Sequence, residues 1–159
     1  MTNNSNNAPL TFDISNSSDM LEELRGVVSD FKKDDLNPKT ARHCAVIAWS
    51  MCDWIFKEHG SRLGYKKLDK LQEDVRNKCP EIEYLQNMAD SLKHRNITSY
   101  TPSLVGAYKH RGAFSRDFAR DFDISGLMLK LQDGSELWFE DVIEAALSFW
   151  DGYFKDNGI

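Results

Sequence analysis

The triplet Lys-His-Arg occurs twice in this chain, at Lys93-His94-Arg95 and at Lys109-His110-Arg111. Histidine exchanges a proton near neutral pH and the flanking cations stabilise negative charge, so such a triplet suits binding of, or chemistry on, phosphates and carboxylates. Both triplets lie between Lys93 and Arg116, a segment that has five Lys or Arg residues and no Asp or Glu. The pattern predicts a local positive field for an anionic ligand.

The acidic character of the whole chain sets this segment apart. The 159 residues carry a formal net charge of -5, from 20 basic and 25 acidic residues. Arginine binds phosphate in fork geometry, and aromatic rings between cations stack on bases. The predicted binding residues are Lys93, Arg95, Lys109, His110, Arg111, Arg116 and Tyr108. Two other interpretations stay open: a solvated loop, and ion pairing with acidic residues of the same protein.

His94 is also the candidate general acid/base. Asp90 lies one helical turn before it, but both residues, with Asn87, are predicted opposite an apolar helix face. An exposed pair of this kind contributes only about 0.3–0.5 kcal/mol and needs no functional explanation. Asp53 is the second catalytic candidate, because a carboxylate there can meet a group from a neighbouring helix. The alternative for Asp53 is an ordinary solvent-facing side chain.

Neither a metal nor a cofactor is predicted. The three cysteines, Cys44, Cys52 and Cys79, form no C-x-x-C pair, and we interpret them as free buried thiols. The chain has no zinc-finger spacing, no glycine-rich phosphate loop and no nucleophile-elbow motif. The common sequence signatures of enzymes are therefore absent, and whether the protein is an enzyme stays open.

Hydrophobic periodicity predicts five helices. The first spans the apolar residues of 20–31, with Asp19 and Glu22 as a capping pair. The second, over 38–59, starts at Asn37-Pro38 and is apolar around most of its circumference, as is typical of a central helix. The others are predicted over 65–79, 80–96 and 140–154. The apolar face of the fourth helix is Ile82, Leu85, Met88, Ala89 and Leu92.

The part of the chain between the fourth and fifth helices divides into an irregular segment and a predicted β-hairpin. Residues 97–124 show no clean periodicity, end in a near-repeat that starts at Arg116 and Arg120, and are predicted to be a long irregular segment. Alternating residues over 127–131, then Asp133-Gly134 and a return strand, predict a β-hairpin. The predicted fold class is mainly α: a four-to-five-helix bundle with one late β-hairpin before the C-terminal helix.

The domain organisation follows from the same patterns. The polar residues 1–16 are predicted to be a disordered tail, and residues 17–159 a single helical domain. No apolar run approaches the ~20 residues that span a bilayer, and the start of the chain lacks the features of a signal peptide. We therefore expect a cytoplasmic protein without a membrane partner.

Three stretches of the chain resemble a group of small helical bacterial proteins with no assigned activity. They are His43 to Trp49 with Asp53-Trp54, Cys79-Pro80 with Asp90 to His94, and Leu129 to Gly134 with Phe149-Trp150. The helical layout is also distantly similar to the HEPN superfamily, which includes metal-independent ribonucleases. That resemblance implies His94 as general acid/base, Lys93 and Arg95 on phosphate, and Asp53 as orienting group. In those enzymes an Arg is followed four to six residues later by a His on a late helix, and no Arg of this chain precedes a His at that spacing.

Three functions are compatible with these patterns. The first is a small non-enzymatic or regulatory module that binds an anionic partner, namely nucleic acid, a nucleotide or an acidic protein surface. The second is a HEPN-like metal-independent ribonuclease. The third is a structural or homodimerising helical protein, which the apolar surface of the second helix around Trp49 and Trp54 favours.

Overall fold

The computed structural model describes residues 10–159. Its elements in chain order are α1 (Ser17–Lys33), α2 (Pro38–His59), α3 (Leu68–Lys78), α4 (Pro80–His94), β1 (Leu104–His110), β2 (Gly126–Leu131), β3 (Glu136–Trp138) and α5 (Phe139–Asn157). The mainly helical character is confirmed, whereas the bundle arrangement stays a prediction. Most of the predicted tail lies outside the described residues; within it, Ile14 packs on the core. None of the described helices combines the length and apolar character needed to cross a bilayer.

Local capping signals start the first two helices. Asn37 accepts hydrogen bonds from the backbone of Lys39 and Thr40, and Pro38 occupies the first turn of α2. The capping pair predicted for α1 is wrong, because the cap is Asn16, whose Oδ1 accepts from the Asp19 N–H at 2.8 Å. A capping residue needs extended backbone just before the first turn, and Asn16 has it, with φ -150° and ψ 173°.

Helix α2 occupies the centre of the helical part, as its composition predicted. It packs against α1, α3, α4 and α5. Met51, Cys52 and Ile55 are completely buried, and the Trp150 indole of α5 donates to the Ala48 carbonyl oxygen at 3.1 Å. Because such burial removes much apolar surface from water, the contacts of α2 contribute strongly to the stability of the helical core.

The prediction of an irregular segment over 97–124 is wrong in its middle, where β1 forms. The three strands make an antiparallel sheet in the order β1-β2-β3, so β1 is an edge strand. The register shifts between Leu104 and Gly106, which leaves Val105 in a β-bulge. An edge position and a bulge both interrupt the alternation of apolar residues, and this is why periodicity did not identify the strand. The predicted late hairpin is present as β2 and β3, with Gly134 at φ +86° in its turn.

The polar and apolar faces of α4 also differ from the prediction. Asn87, expected on the polar side, is only 2% exposed, whereas Leu92, expected on the apolar face, is 57% exposed. Asn87 is buried because β1 lies beside α4, where the Leu104 N–H donates a hydrogen bond to the Asn87 side chain. The prediction from periodicity did not include a strand beside α4, so it placed Asn87 on the solvent-facing side of the helix.

Candidate anion-binding groove

A groove separates edge strand β1 from helices α2 and α4. It consists of two adjoining depressions of about 320 Å³ and about 690 Å³. Arg42, Met88 and Ala107 line both depressions, so these form one continuous feature along β1. We call this feature the groove.

Three cations line the groove: Arg42 from α2, Arg95 from the end of α4 and Lys109 from β1. All three are exposed. Within residues 10–159, none of them has a carboxylate oxygen within the 4.0 Å of an ion pair. Free positive charge in a chain of formal net charge -5 is the electrostatic signature of a site for anions.

The floor of the groove is apolar. Ala107 lies opposite Leu129 and Lys109 opposite Leu127 across the β1–β2 pair, so their side chains share the inner face of the sheet with two buried leucines. The exposed Leu92 adds an apolar wall on the α4 side. The groove therefore offers apolar contact along its length and positive charge at its rim.

One buried side chain fixes β1 to α4. The Asn87 Oδ1 accepts a hydrogen bond from the Leu104 N–H at 3.1 Å, and its Nδ2 donates to the Tyr100 hydroxyl at 3.4 Å. The Tyr100 hydroxyl in turn donates to Asp90 Oδ2 at 2.7 Å. Burial, and then the hydrogen bond to this carboxylate, raise the pKa of Tyr100 above its usual range, so the hydroxyl keeps its proton.

Arg95 is held in an unusual backbone conformation. Its φ of 60° and ψ of -56° form a γ-turn, and the Asn96 N–H donates to the His94 carbonyl oxygen at 2.6 Å. A positive φ is uncommon for a residue with a Cβ, and strain of this kind concentrates at functional sites. Glycine would adopt the same backbone without strain, but it would supply no guanidinium to the groove.

The two predicted catalytic residues lie in separate places. His94 is exposed and lines a depression with Asp90 and Tyr100, whereas Asp53 lines another with Trp54 and Glu58. Asp90 bonds Tyr100, and neither depression contains both catalytic candidates. The described structure therefore does not bring His94 and Asp53 together as acid/base and orienting group.

The second triplet and Arg116 divide between the groove and the protein body. Lys109 lines the groove, while the His110 Nε2 lies 2.5 Å from Asp123 Oδ1 and lowers the pKa of that carboxyl. Arg116 bonds Asp35 and the Ser125 carbonyl oxygen. For these two of the seven predicted residues, pairing with acids of the same protein is the interpretation that the contacts support.

The other three predicted binding residues differ in position. Tyr108 lines the smaller depression of the groove, but its hydroxyl donates to Glu136 Oε1 at 2.6 Å across the outer face of the sheet. Lys93 and Arg111 are exposed, form no ion pair within the described residues and line neither depression of the groove. The two Lys-His-Arg triplets thus contribute one cation each, Arg95 and Lys109.

A second surface feature lies in residues 112–125, which we call the phenylalanine loop. Its near-repeat forms two successive β-turns, closed by hydrogen bonds from Phe118 N to Ser115 O and from Phe122 N to Ala119 O. The rings of Phe114, Phe118 and Phe122 contact one another with centroids 5.2–5.5 Å apart, and each is nearly half exposed. Arg120 pairs with Glu140 and Asp141 and lies 4.7 Å over the Trp138 ring.

The thiols take no part in either feature. Cys44, Cys52 and Cys79 are buried and free, as predicted. Burial raises the pKa of Cys44 and of Cys79 to about 12 and that of Cys52 further. The described residues contain no cluster of His, Cys, Asp and Glu that suits a metal ion. Protonated buried thiols are neither nucleophiles nor metal ligands.

Sequence reasoning missed Arg42 and Asn87. No pattern in the sequence marks Arg42 as a groove residue, because its place in the groove depends on β1, which lies more than sixty residues later in the chain. Asn87 was assigned to a polar face by periodicity alone. The chain matches no protein-family model, no curated protein and no solved structure. A proposal for its function therefore rests on the geometry of the groove. The HEPN-like resemblance stays a prediction.

Proposed function

We propose that this protein is a small non-enzymatic binding module, and that the groove beside β1 holds an anionic partner. The observation that carries the proposal is the set of three cations around the groove, Arg42, Arg95 and Lys109, none of which pairs with an acid in residues 10–159. Elsewhere in the same basic segment, Arg116 and His110 do pair with acids. Positive charge left free beside apolar surface suits a ligand that brings the negative charge itself.

The contacts favour an acidic protein segment over nucleic acid as that ligand. Recognition of single-stranded nucleic acid needs aromatic rings beside the cations, on which bases stack. Tyr108 lines the groove, but its hydroxyl is already bonded to Glu136 across the outer face of the sheet. The exposed Phe118 and Phe122 belong to a loop that also carries Asp117 and Asp121. The groove itself offers aliphatic contact and cations, which complement apolar and carboxylate side chains.

The two alternative functions have less support. A HEPN-like ribonuclease needs its acid/base and orienting groups together, and His94 and Asp53 line different depressions. A homodimerising protein needs an apolar surface that is free for a second copy. On α2, Trp49 and Trp54 are partly buried and pack against the core of the same chain. Both alternatives stay predictions.

The test of the proposal is binding of anionic probes by fluorescence anisotropy at ~50 mM and ~300 mM salt. The probes are an octapeptide of alternating valine and glutamate, an oligo-uridylate and ATP. The variant replaces Arg42, Arg95 and Lys109 by glutamate. We expect the wild-type protein to bind the octapeptide, with affinity that falls as salt rises, and the variant to bind at least tenfold more weakly.

The matched control replaces three exposed cations away from the groove, Lys66, Lys67 and Lys155, by glutamate. The control changes the net charge by the same amount, so it should retain most of the binding. Equal loss in control and variant would show a non-specific effect of charge and refute the groove. Absence of binding to all three probes at ~50 mM salt would refute the proposed function itself.

A further inference from the structure

Hydrogen bonds at the ends of β2 define which way its backbone groups point. The Gln132 N–H donates to the Ser103 carbonyl oxygen on the β1 side at 2.9 Å, whereas the Leu131 N–H donates to the Ser135 carbonyl oxygen on the β3 side at 2.9 Å. Backbone groups alternate sides along a strand, so Leu129 and Leu127 also point towards β3. Their partners on β1 are therefore members of non-hydrogen-bonded pairs.

These partners are Ala107 and Lys109, opposite Leu129 and Leu127. In a non-hydrogen-bonded pair the N–H and C=O of both residues point away from each other. The backbone groups of Ala107 and Lys109 consequently point out of the sheet, along the open edge of β1. These two residues also line the groove with their side chains.

The open edge is accessible over the middle and end of β1. The outward N–H of Leu104 is already bonded to Asn87, which closes the start of the strand. From Val105 onward the side chains are mostly exposed, and Val105 itself is 53% exposed. No side chain or loop of residues 10–159 bonds the backbone of Ala107 or Lys109. An edge with unpaired backbone groups is a template for another extended segment.

We infer that the partner is an extended acidic segment of another protein, which adds to β1 as a fourth strand of the sheet. The inference rests on the proposed function and specifies how the groove is occupied. Backbone bonds to Ala107 and Lys109 would supply affinity, and alternate side chains of the segment would lie in the groove. Arg42, Arg95 and Lys109 select carboxylates on that segment by charge complementarity.

A second copy of this chain fits the same edge less well. Pairing of β1 with β1 of another copy would bring two sets of Arg42, Arg95 and Lys109 to one interface, with no acid in either groove lining. Like charges at an interface oppose association. Nucleic acid would use the cations but would leave the outward backbone groups of Ala107 and Lys109 without strand pairing.

The experiment compares three forms of the valine–glutamate octapeptide on the full chain. One is unmodified, one is methylated on the backbone nitrogen of every valine, and one on that of every glutamate. Side-chain charge is identical in all three. Since alternate N–H groups of a strand point to opposite sides, we expect one methylated form to lose at least tenfold in affinity and the other to bind like the unmodified peptide.

Amide hydrogen exchange by NMR adds a second readout. On binding of the unmodified octapeptide, exchange of the Ala107 and Lys109 amides should slow at least tenfold. The Tyr108 amide, which faces β2, should change little and is the internal control. Equal affinity of both methylated forms, or unchanged exchange at Ala107 and Lys109 in the complex, would overturn strand addition while leaving the anion-binding function intact.

Two further results separate the proposals. Binding of oligo-uridylate without binding of the octapeptide would overturn the acidic segment and retain an anionic partner. A dimer in analytical ultracentrifugation, with slow exchange of the Ala107 and Lys109 amides before any peptide is added, would assign the edge to a second copy instead. Absence of binding to the octapeptide, to oligo-uridylate and to ATP would overturn the inference and remove its premise.

Discussion

The groove and the phenylalanine loop are both built from the later part of the chain, and they use cations in opposite ways. In the loop, Arg116 pairs with Asp35 in the turn between α1 and α2, and Arg120 pairs with Glu140 and Asp141 of α5, so each guanidinium attaches the loop to the body. In the groove, the cations form no ion pair within residues 10–159, and β1 is attached to α4 by the buried neutral side chain of Asn87. Attachment by a neutral hydrogen bond leaves the nearby charges available to a ligand.

The two modes of attachment respond differently to solvent. Ion pairs at a surface weaken as salt rises, whereas a hydrogen bond between buried neutral groups does not depend on screening. The basic residues of the two regions should therefore have different roles. Cations of the loop should affect stability, and cations of the groove should affect binding. Substitutions at Asn87, Arg116 and Arg95 test this division.

The largest effect is expected for Asn87→Ala. The substitution leaves the Leu104 N–H without its buried acceptor and removes one donor to the Tyr100 hydroxyl, which keeps its bond to Asp90. The free energy of unfolding should therefore fall by about 2–3 kcal/mol. Urea denaturation at low and high salt measures the change, which should be the same at both. The exposed Asn96→Ala is the matched control and should stay within about 0.5 kcal/mol of the wild type. A small effect of Asn87→Ala would show that β1 is held to α4 by other contacts.

A smaller effect is expected for Arg116→Ala. Loss of the bonds to Asp35 and Ser125 should lower the free energy of unfolding by about 1–2 kcal/mol, and the difference should shrink at ~1 M salt. Octapeptide binding should be unchanged, because Arg116 does not line the groove. The exposed Arg111→Ala should change neither quantity. Weaker binding by Arg116→Ala, with the fold intact, would contradict the division between loop and groove.

The smallest effect, and the only one of opposite sign, is expected for Arg95→Gly. Glycine tolerates a φ of 60°, so the variant should be more stable than the wild type by up to about 1 kcal/mol, although glycine also raises the entropy of the unfolded chain. Binding of the octapeptide should weaken, since one of the three groove cations is lost. Lys93→Gly in the last turn of α4 is the control and should be destabilising. Lower stability of Arg95→Gly would show that the turn is not strained.

Local signals in the sequence were sufficient for most helices. Asn37-Pro38 and Gly60 delimit α2 as predicted, and Asp133-Gly134 marks the turn of the late hairpin. Each of these signals acts through atoms a few residues apart, so the pattern of types along the chain is enough to identify it. The cluster of Lys and Arg between residues 93 and 116 was likewise identified from the sequence.

Contacts between distant parts of the chain set which of those cations pair with acids of residues 10–159 and which do not. Arg116 meets Asp35 from 81 residues away, and Arg42 reaches the groove only because β1 forms as a bulged edge strand beside α2 and α4. Pairing across such distances depends on how the helices pack and not on local propensity. Residue types along the chain were therefore enough to identify the helices, the hairpin turn and a basic segment in an acidic chain. The position of β1 beside α4, fixed by the bond from Leu104 to Asn87, determined that Arg42, Arg95 and Lys109, rather than the whole segment, line one groove.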